Sequence, residues 1–250
     1  MKYLLKKIRI ALTPRFMNLK TVLSNGAIIY GKNKSGYGGR GVYLYGDSIE
    51  PELNYLDKFL DKDSVFIDIG ASSGIYTLKA AKHLTQEGIV IAVEPFPEVF
   101  NTLYASVKKN GFNNVKLRNF CASKETSEKT LWMNSDLPNT FSIVERHNNS
   151  SGLSVLGVSI DDLMLWEKLN RLDYIKIDAE GAEKEILIGA KKSIEKFRPI
   201  IQAEITVRAL DLKFSSYEIF KAHKSLNIVF IPKESPKRLV AHQLGWEILA

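Results

Sequence analysis

A hydrophobic run that passes directly into a glycine turn constrains the fold of this chain more than any other feature. The run Val65–Ile69 is apolar except for Asp68, and Gly70 and Gly74 follow before an apolar pattern of helical period begins. Glycine allows the backbone to turn sharply and to approach a ligand closely, and the first turn of a helix offers unpaired N–H groups. We therefore predict a strand, a ligand-binding turn and a helix in succession.

Apolar segments with the lengths of strands and helices alternate along the chain beyond that turn. We predict strands at 65–69, 89–93, 115–121, 173–177 and 200–205, and helices at 75–84, 97–110, 160–168 and 182–190. Pro51 is expected to open a helix before the first strand, and the tail is expected to add a helix near 216–223 and strands at 228–231 and 246–249. This alternation is typical of an α/β fold, a mostly parallel sheet with helices on both faces.

The composition, 45% hydrophobic and 25% charged, is that of a globular chain. We expect a basic N-terminal extension at 1–46 and one Rossmann-like domain at 47–250, with an insertion at about 125–157 where the regular pattern weakens. The single cysteine, Cys121, excludes an internal disulfide and a cysteine-rich zinc site. No uncharged apolar run has the length of a membrane span, so a cytoplasmic protein is expected.

The acid inside the first strand indicates which cofactor the glycine turn binds. Asp68 would repel a pyrophosphate, and Ser72 stands where a dinucleotide fingerprint has its second glycine. A carboxylate suits instead S-adenosylmethionine, whose amino-acid part carries an ammonium and a sulfonium and no phosphate. Glu94, just after the next strand, is placed to accept hydrogen bonds from the two ribose hydroxyls. Dinucleotide binding stays open as an alternative, because its fingerprint also ends on an acid.

The adenine ring is expected between the residues that follow the second strand and those at the end of the third. The full predicted cofactor set is Asp68, Gly70, Ala71, Ser72, Gly74, Tyr76, Thr77, Glu94, Pro95, Phe96, Cys121, Ala122 and Asp178. An alternative is that Asp68 and Glu94 are ordinary turn acids or helix caps. We favour cofactor binding, because the glycine turn, the two acids and the spacing between them all occur within one strand–helix–strand unit.

Several blocks of the sequence together resemble the FkbM-type methyltransferases, a branch of the S-adenosylmethionine-dependent Rossmann-like enzymes. The blocks are Gly39–Gly41, Glu50–Glu52, Val65–Leu78, Val93–Pro95, Ser159–Leu163 and Ile175–Glu183. The last, with its Lys-Ile-Asp-x-Glu-Gly-x-Glu pattern, is the most family-specific. The resemblance covers roughly Arg40–Ile205, and it departs from the family mildly, with Ser72 where asparagine is usual and with Phe96 in the turn after the second strand.

The resemblance implies a seven-stranded sheet of order 3, 2, 1, 4, 5, 7, 6, with the seventh strand antiparallel. It also implies O-methylation of a hydroxyl on a sugar, a polysaccharide precursor or a secondary metabolite. N-methylation of a small metabolite is the alternative among enzymes. A non-catalytic S-adenosylmethionine-binding protein recruited to a membrane is the alternative from another class.

Three carboxylates are expected to converge on the edge of the sheet where open α/β sheets hold their ligands. Asp178 and Glu180 follow the fourth strand, and Glu204 follows the fifth. A neutral hydroxyl is a poor nucleophile, so Glu180 or Glu204 is predicted to act as a general base, with Asp178 facing cofactor or acceptor. The three also offer oxygen ligands of the kind that Mg²⁺ or Ca²⁺ prefers, but we do not favour a metal.

The surroundings of these acids allow other interpretations. Glu180 would alternatively cap the helix that begins near Gly181, while Glu183 and Glu185 are expected on an exposed helical face. Lys176, within the fourth strand, is expected to pair with an acid and not to act in catalysis.

The acceptor is expected to contact residues before the core and the part of the insertion around 141–147. Arg40, Tyr43 and Tyr45 would bind a polyhydroxylated or phosphate-bearing acceptor by bidentate hydrogen bonds and stacking, and His147 is a minor candidate base. A strand in which Tyr43 and Tyr45 share one face is an equally weighted alternative.

The net charge of +7 is concentrated at the N-terminus. Residues 1–46 contain 9 of the 35 bases and none of the 28 acids, which leaves 26 bases against 28 acids, or −2, in the rest. A helix over residues 2–12 would place leucines and isoleucine on one arc and cations on the other, so residues 1–20 are predicted to contact an anionic membrane or, alternatively, to pack on their own domain. Nucleic acid is not expected as a partner, because the bases do not alternate with aromatic residues.

Overall fold

A twisted sheet with helices on both faces organises the chain. The computed structural model describes residues 2–133, 141–144, 151–205 and 215–249. The helices of this part are α1 (Lys2–Leu12), α2 (Gly39–Tyr45), α3 (Leu56–Phe59), α4 (Ile75–His83), α5 (Pro97–Asn110), α6 (Ile160–Trp166), α7 (Glu183–Gly189), α8 (Lys191–Phe197) and α9 (Lys237–Gln243). The predicted helix at Pro51 is a 3-10 turn, Pro51–Asn54, followed by α3.

The strands fall into three sheets. The described strands are β1 (Asn18–Val22), β2 (Ile28–Lys32), β3 (Val65–Ile69), β4 (Ile89–Val93), β5 (Val115–Arg118), β6 (Cys121–Ala122), β7 (Ser127–Met133), β8 (Phe141–Ser142), β9 (Ser151–Val158), β10 (Tyr174–Ile177), β11 (Ile200–Ala203), β12 (Tyr217–Lys221), β13 (Ile228–Pro232) and β14 (Glu247–Ile248). The sheets are a β1–β2 hairpin, a central sheet of eight strands, and a smaller sheet of order β6-β9-β7-β8.

The central sheet confirms the predicted α/β topology. Its order is β14-β12-β13-β11-β10-β3-β4-β5, which is the expected seven-strand order with the short β14 added at one edge. The strands β5, β4, β3, β10 and β11 are parallel, and β13 runs antiparallel to β11, as expected for the seventh strand.

The tail departs from the sequence prediction. The segment near 216–223 was expected to be helical, but it forms β12, paired antiparallel with β13 and with β14. Tyr217, Ile219 and Phe220 are buried in this strand. Aromatic and β-branched residues fit a strand with both faces covered. In a short segment with weak intrinsic propensity, pairing with neighbouring strands determines the secondary structure.

The central strands are buried because helices cover both faces of the sheet. All five residues of β3 and all four of β10 are buried. Alternate side chains of β3 enter two separate hydrophobic cores. Phe66 packs in the core that includes α4 and α5, and Ile67 packs in the core that includes α6 and α7. Burial on both faces explains why β3 is an apolar run and not an alternating pattern.

The N-terminal region packs against the domain. The amides of Ile28 and Tyr30 in β2 donate to the side chains of Asn110 (2.8 Å) and Ser106 (2.9 Å) on α5. The strand that was considered for Tyr43 and Tyr45 is instead the helix α2.

The smaller sheet lies in the region that was predicted as an insertion. Strands β7 and β9 pair antiparallel over seven residues, and β9 is joined in parallel to β6. None of the helices in the described ranges is long and apolar enough to cross a membrane.

A buried asparagine joins α1 to α2. Asn33 is fully buried, and its Nδ2 donates to the carbonyl oxygens of Ile10 (2.8 Å) and Thr13 (2.6 Å). Its Oδ1 accepts from Arg40 Nε at 3.0 Å. The side chain therefore satisfies carbonyls at the end of α1 and holds a guanidinium at the start of α2.

We expect Asn33→Ala to lower the free energy of unfolding by about 1–3 kcal/mol, because it leaves several part-buried polar groups without partners. Urea denaturation measures this change. Asn54→Ala, at an exposed position, is the control and is expected to change stability by less than about 0.5 kcal/mol. Equal effects of the two substitutions would contradict the structural role of Asn33.

Candidate active site

The turn after β3 is held at the ends of two neighbouring strands. The amides of Gly70 and Ala71 both donate to Val93 O, at 3.0 Å each. Gly70 has a φ of +69°, and a Cβ at this position would lie 1.8 Å from Asp178 O. Only glycine fits there, so the glycine predicted to allow a close approach lets two strand ends meet.

A cavity of about 400 Å³ opens where β3, β4 and β10 end. This volume lies within the range of small-molecule sites, about 300–1,000 Å³. Its polar and glycine lining is formed by Lys34, Ser35, Gly36, Gly38, Arg40, Gly41, Gly70, Ser72, Glu94, Ser142, Asp178 and Glu180. Its other lining residues are Ile49, Ile69, Val93, Pro95, Val99, Cys121, Ala122, Leu131, Ile143, Ala179 and Ala182.

Glu94 is buried and held in one orientation. Its two carboxylate oxygens accept from the amides of Ser72 and Phe96, each at 2.9 Å. Burial raises the pKa of Glu94 to about 7, against the lowering effect of these two hydrogen bonds. Asn119 Nδ2 donates to the carbonyl oxygens of Glu94 (2.8 Å) and Pro95 (3.0 Å) and fixes the turn that follows β4.

Asp68 lies beneath the cavity and not in its lining. Its Oδ2 accepts from Thr77 Oγ1 at 2.6 Å, and its buried Oδ1 has no hydrogen-bond partner among the described residues. Burial raises the pKa of Asp68, and the nearby Lys176 ammonium opposes that rise. Asp68 therefore acts on the cavity through its charge.

Lys176 pairs with an acid, as predicted. Its Nζ lies 3.1 Å from Asp178 Oδ2 and 5.1 Å from the centre of the Tyr76 ring. Burial lowers the pKa of Lys176, but Asp178 and Asp68 outweigh burial and raise it overall. The ammonium thus stays charged between two carboxylates.

Two of the three predicted catalytic acids line the cavity. Asp178 and Glu180 both lie on the segment that leaves β10, and Asp178 N donates to Ile69 O at 3.1 Å. Glu180 has a φ of +53°, in the left-handed region that non-glycine residues rarely adopt. Ser142 Oγ donates to Glu180 O at 2.9 Å and ties this segment to the small sheet. Strained backbone of this kind is concentrated at functional sites.

Glu183 ties down the turn that precedes α7. Glu183 Oε1 accepts from the amides of Ala179 (2.9 Å) and Gly181 (3.1 Å). Glu183 was expected on an exposed face together with Glu185, but it is buried because its carboxylate turns back onto the start of α7. Only Glu185 is exposed.

Glu204, the third predicted catalytic acid, lies outside the cavity lining. It follows β11, and the residue as a whole is exposed. Partial desolvation of its carboxyl group is the main cause that raises its pKa, and the charge of Asp178 is the second. Its backbone amide faces Ile177 O at 3.4 Å, so it follows the edge of the same sheet without entering the cavity.

Several predicted cofactor residues support the cavity from outside its lining. Tyr76 points away, since its hydroxyl donates to Glu50 Oε2 (2.6 Å) and accepts from Gln202 Nε2 (2.7 Å). Thr77 contacts Asp68, while Ala71, Gly74 and Phe96 shape the two turns.

Cys121 and Ala122 do line the cavity, as part of its apolar wall. Burial raises the pKa of the Cys121 thiol to about 11, which keeps it neutral.

Of the three predicted acceptor residues that the structure describes, only Arg40 lines the cavity. Tyr43 is buried beside α1, and the Tyr45 hydroxyl lies 3.0 Å from that of Tyr3. Both tyrosines hold α1 in place because α2 presents them to it. His147 lies outside the described residues.

The sequence prediction missed two parts of the cavity wall. One is the segment 34–38, where a Cβ on Gly38 would lie 2.4 Å from Ser72 Oγ and where Tyr37 packs edge-on against Phe96 at 5.7 Å. The other is Leu131 of the small sheet, whereas Ser142 and Ile143 of the same sheet lie in the segment 141–147 that was expected to contact the acceptor. The cluster of glycines at 36–46 was the only local signal for the first part.

A sequence profile of the Methyltransferase FkbM domain matches residues 68–226, which is more than half of the chain. The chain belongs to the FkbM methyltransferase family. It is therefore an S-adenosylmethionine-dependent methyltransferase.

Individual relatives are distant. Methyltransferase 1 of Beauveria bassiana is 23% identical over 169 residues, 56% of this chain and 68% of that protein. An uncharacterised protein of Methanocaldococcus jannaschii is 34% identical over 64 residues, 26% of this chain and 24% of that protein. The FkbM methyltransferase structure from Methylobacillus flagellatus aligns with a TM-score of 0.50 at 18% identity and covers 77% of this chain. The chain spans about half, 53%, of that solved structure.

The lining of the cavity fits S-adenosylmethionine. Val93, Pro95 and Ala122 form an apolar wall suited to an adenine ring, and Glu94 is an oriented acceptor suited to ribose hydroxyls. Asp178 and the buried Asp68 supply negative charge for a cationic amino-acid moiety. Among the described residues, no group of three or more His, Cys, Asp or Glu side chains is arranged to hold a metal ion.

We expect Gly70→Ala to abolish measurable S-adenosylmethionine binding and to lower the free energy of unfolding by about 2–5 kcal/mol, because the new Cβ meets Asp178 O. Isothermal titration calorimetry measures binding, at a temperature where circular dichroism shows the variant to be folded. Gly26→Ala is the control: its φ is +83°, nothing lies within 4 Å of the new Cβ, and binding should be unchanged. Wild-type affinity of Gly70→Ala for S-adenosylmethionine would contradict the requirement for a close approach of residue 70 to Asp178 O.

Glu94 predicts a specific pH dependence of stability. Burial raises its folded-state pKa to about 7, so the folded protein holds this proton more tightly than the unfolded chain does. Its stabilising contribution is complete below the unfolded pKa of about 4.3 and is lost as the pH rises through about 7.

Relative to the wild type, ligand-free Glu94→Gln should therefore gain up to about 3 kcal/mol of unfolding free energy between pH 4 and pH 8. Loss of one amide hydrogen bond adds an offset that does not depend on pH. Denaturant titrations at the two pH values measure the difference. The same difference at both pH values would show that Glu94 titrates normally.

Proposed function

We propose that this enzyme transfers the methyl group to a hydroxyl oxygen of a sugar, a polysaccharide precursor or a secondary metabolite. The observation that carries the proposal is the position of Asp178 and Glu180, whose segment lines the cavity beside the cofactor turn. A hydroxyl acceptor needs a base within hydrogen-bonding reach, whereas a thiolate or a neutral amine does not need one to the same degree.

The protein has two tasks in such a reaction. Bound S-adenosylmethionine would supply an electrophilic methyl group on its sulfonium sulfur. The acceptor oxygen would attack the methyl carbon in line, and the sulfur would leave as the neutral thioether of the demethylated product. The walls of the cavity align the acceptor with that methyl group, and orientation of this kind is worth about 7–11 kcal/mol of the barrier. A carboxylate then removes the hydroxyl proton as the oxygen–carbon bond forms.

Glu180 is the better candidate for the base. Asp178 Oδ2 is engaged by the Lys176 ammonium at 3.1 Å, so this oxygen already has an ion-pair partner. Glu180 lines the same cavity. Its left-handed backbone is held by Ser142, which donates to Glu180 O, and by the Glu183 carboxylate, which accepts from the next amide, that of Gly181. We therefore assign proton removal to Glu180 and orientation of the cationic or hydroxyl groups to Asp178.

The polar part of the wall suits a polyhydroxylated acceptor. Lys34, Ser35, Arg40 and Ser142 are among the residues that line the cavity. Such side chains donate hydrogen bonds to hydroxyl, ether and carboxylate oxygens. Arg40 is oriented by Asn33, which accepts from its Nε at 3.0 Å, so its guanidinium is positioned before any acceptor binds.

The test is a screen of monosaccharides, nucleotide sugars and hydroxylated metabolites with S-adenosylmethionine, in which formation of the demethylated product is followed. Two-dimensional NMR of the product then locates the new methyl group. A methyl ether supports the proposal. A methyl group on nitrogen or carbon in every turned-over acceptor would contradict it.

We expect Glu180→Gln to lower kcat by about 10²–10⁴-fold with an accepted hydroxyl substrate, because the base is lost while the shape of the side chain is kept. S-adenosylmethionine affinity measured by calorimetry should be unchanged. Glu185→Gln, exposed on α7, is the matched control and should leave kcat unaltered. A kcat near the wild-type value in Glu180→Gln would remove Glu180 from the role of base.

A further inference from the structure

The helix α1 exposes the face that a surface helix normally buries. Leu4, Leu5, Ile8 and Leu12 lie on one arc, and each is 47–79% exposed. The residues that turn toward the protein are Lys6 and Ile10, which are half-buried. Amphipathic helices of globular domains usually place their apolar arc against the core, and this helix places it outward.

Polar contacts hold the helix in this orientation. Lys6 Nζ donates to Leu44 O at 3.0 Å and lies 5.6 Å from the centre of the Tyr43 ring. At the other end, Asn33 donates to the carbonyl oxygens of Ile10 and Thr13. These contacts fix the inward side, so the apolar arc is not needed for attachment of α1 to the domain.

Cations border the exposed arc. With about 100° between successive residues of a helix, Lys7 and Arg9 fall on opposite flanks of the arc. Both are exposed, and exposed Arg15 and Lys20 follow the helix together with Phe16, which is 78% exposed. Residues 1–46 contain no acid, so this surface carries positive charge only.

We propose that the α1 face, defined as Leu4, Leu5, Ile8, Leu12 and Phe16 with the cations Lys7, Arg9, Arg15 and Lys20, docks on an anionic lipid bilayer. The apolar arc would enter the boundary between headgroups and acyl chains, and the cations would pair with lipid phosphates. The charge of the border favours an anionic surface over a neutral one. This interaction goes beyond the proposed transfer of a methyl group.

Docking would also set the position of the cavity. The same Asn33 side chain that binds the end of α1 accepts from Arg40, which lines the cavity. The membrane-facing helix and the cavity wall are therefore joined by one buried residue, and the cavity is held at a fixed place relative to the lipid surface.

The test is co-sedimentation of the full chain with vesicles of phosphatidylcholine containing 30 mol% phosphatidylglycerol and with pure phosphatidylcholine vesicles. We expect binding to the anionic vesicles, weakened at least about tenfold at 0.5 M salt, because salt screens the attraction to the surface. Equal binding to both compositions, or binding to neither, would overturn the proposal.

Two pairs of variants locate the surface. L5D/I8D should lower anionic-vesicle binding by at least tenfold, whereas L165D/L239D, at exposed leucines of α6 and α9, should not. K7E/R9E should lower it similarly, whereas K108E/K109E, on α5, carries the same change in charge and should lower it much less. Circular dichroism confirms that each variant is folded. Matching losses in variant and control would overturn the assignment.

A second copy of the chain is the competing occupant of this face. Sedimentation velocity without lipid distinguishes it from a bilayer. A wild-type monomer that binds anionic vesicles supports the proposal. A wild-type dimer that L5D/I8D converts to a monomer, together with no vesicle binding, would overturn it.

Discussion

The approach of β3 to β10 at Gly70 is the constraint on which the site depends. Val93 O receives two amides from the turn, and Asp178 O occupies the place where any side chain at residue 70 would begin. Three strand ends are therefore joined through backbone atoms alone. Because the sheet fixes these backbone positions, the acids that follow the strands, Glu94 and Asp178, both line one cavity.

The charges beneath the cavity are balanced around one buried ammonium. Lys176 stands between Asp68 and Asp178, and each of these groups would be costly to bury alone. Together they leave a negative balance directly under the cavity, since two carboxylates share one cation. That balance favours a cationic ligand over a phosphate, in agreement with the cofactor of the FkbM family.

Elements outside the parallel sheet complete the cavity from two sides. The N-terminal segment brings Gly38 against Ser72, and the small sheet brings Ser142 to Glu180 O. The same N-terminal region holds α1 with its apolar arc outward, so residues before the first parallel strand serve both the cavity wall and an exposed surface. The parallel sheet positions Gly70, Glu94 and Asp178, while the added elements complete the wall of the cavity around them.

The sequence by itself determined the order of the sheet, through its resemblance to a family. It also determined the turn at Gly70 and the positions of Glu94 and Asp178 at strand ends, because the strands and the turn are recognised from local runs of residues. Tertiary structure alone decided the rest. The 216–223 segment became a strand by pairing with β13 and β14, and Glu183 became buried by turning back onto Ala179 and Gly181. Segment 34–38 and Leu131 joined the site through contacts between residues far apart in the chain, which leave no periodic signal in either place.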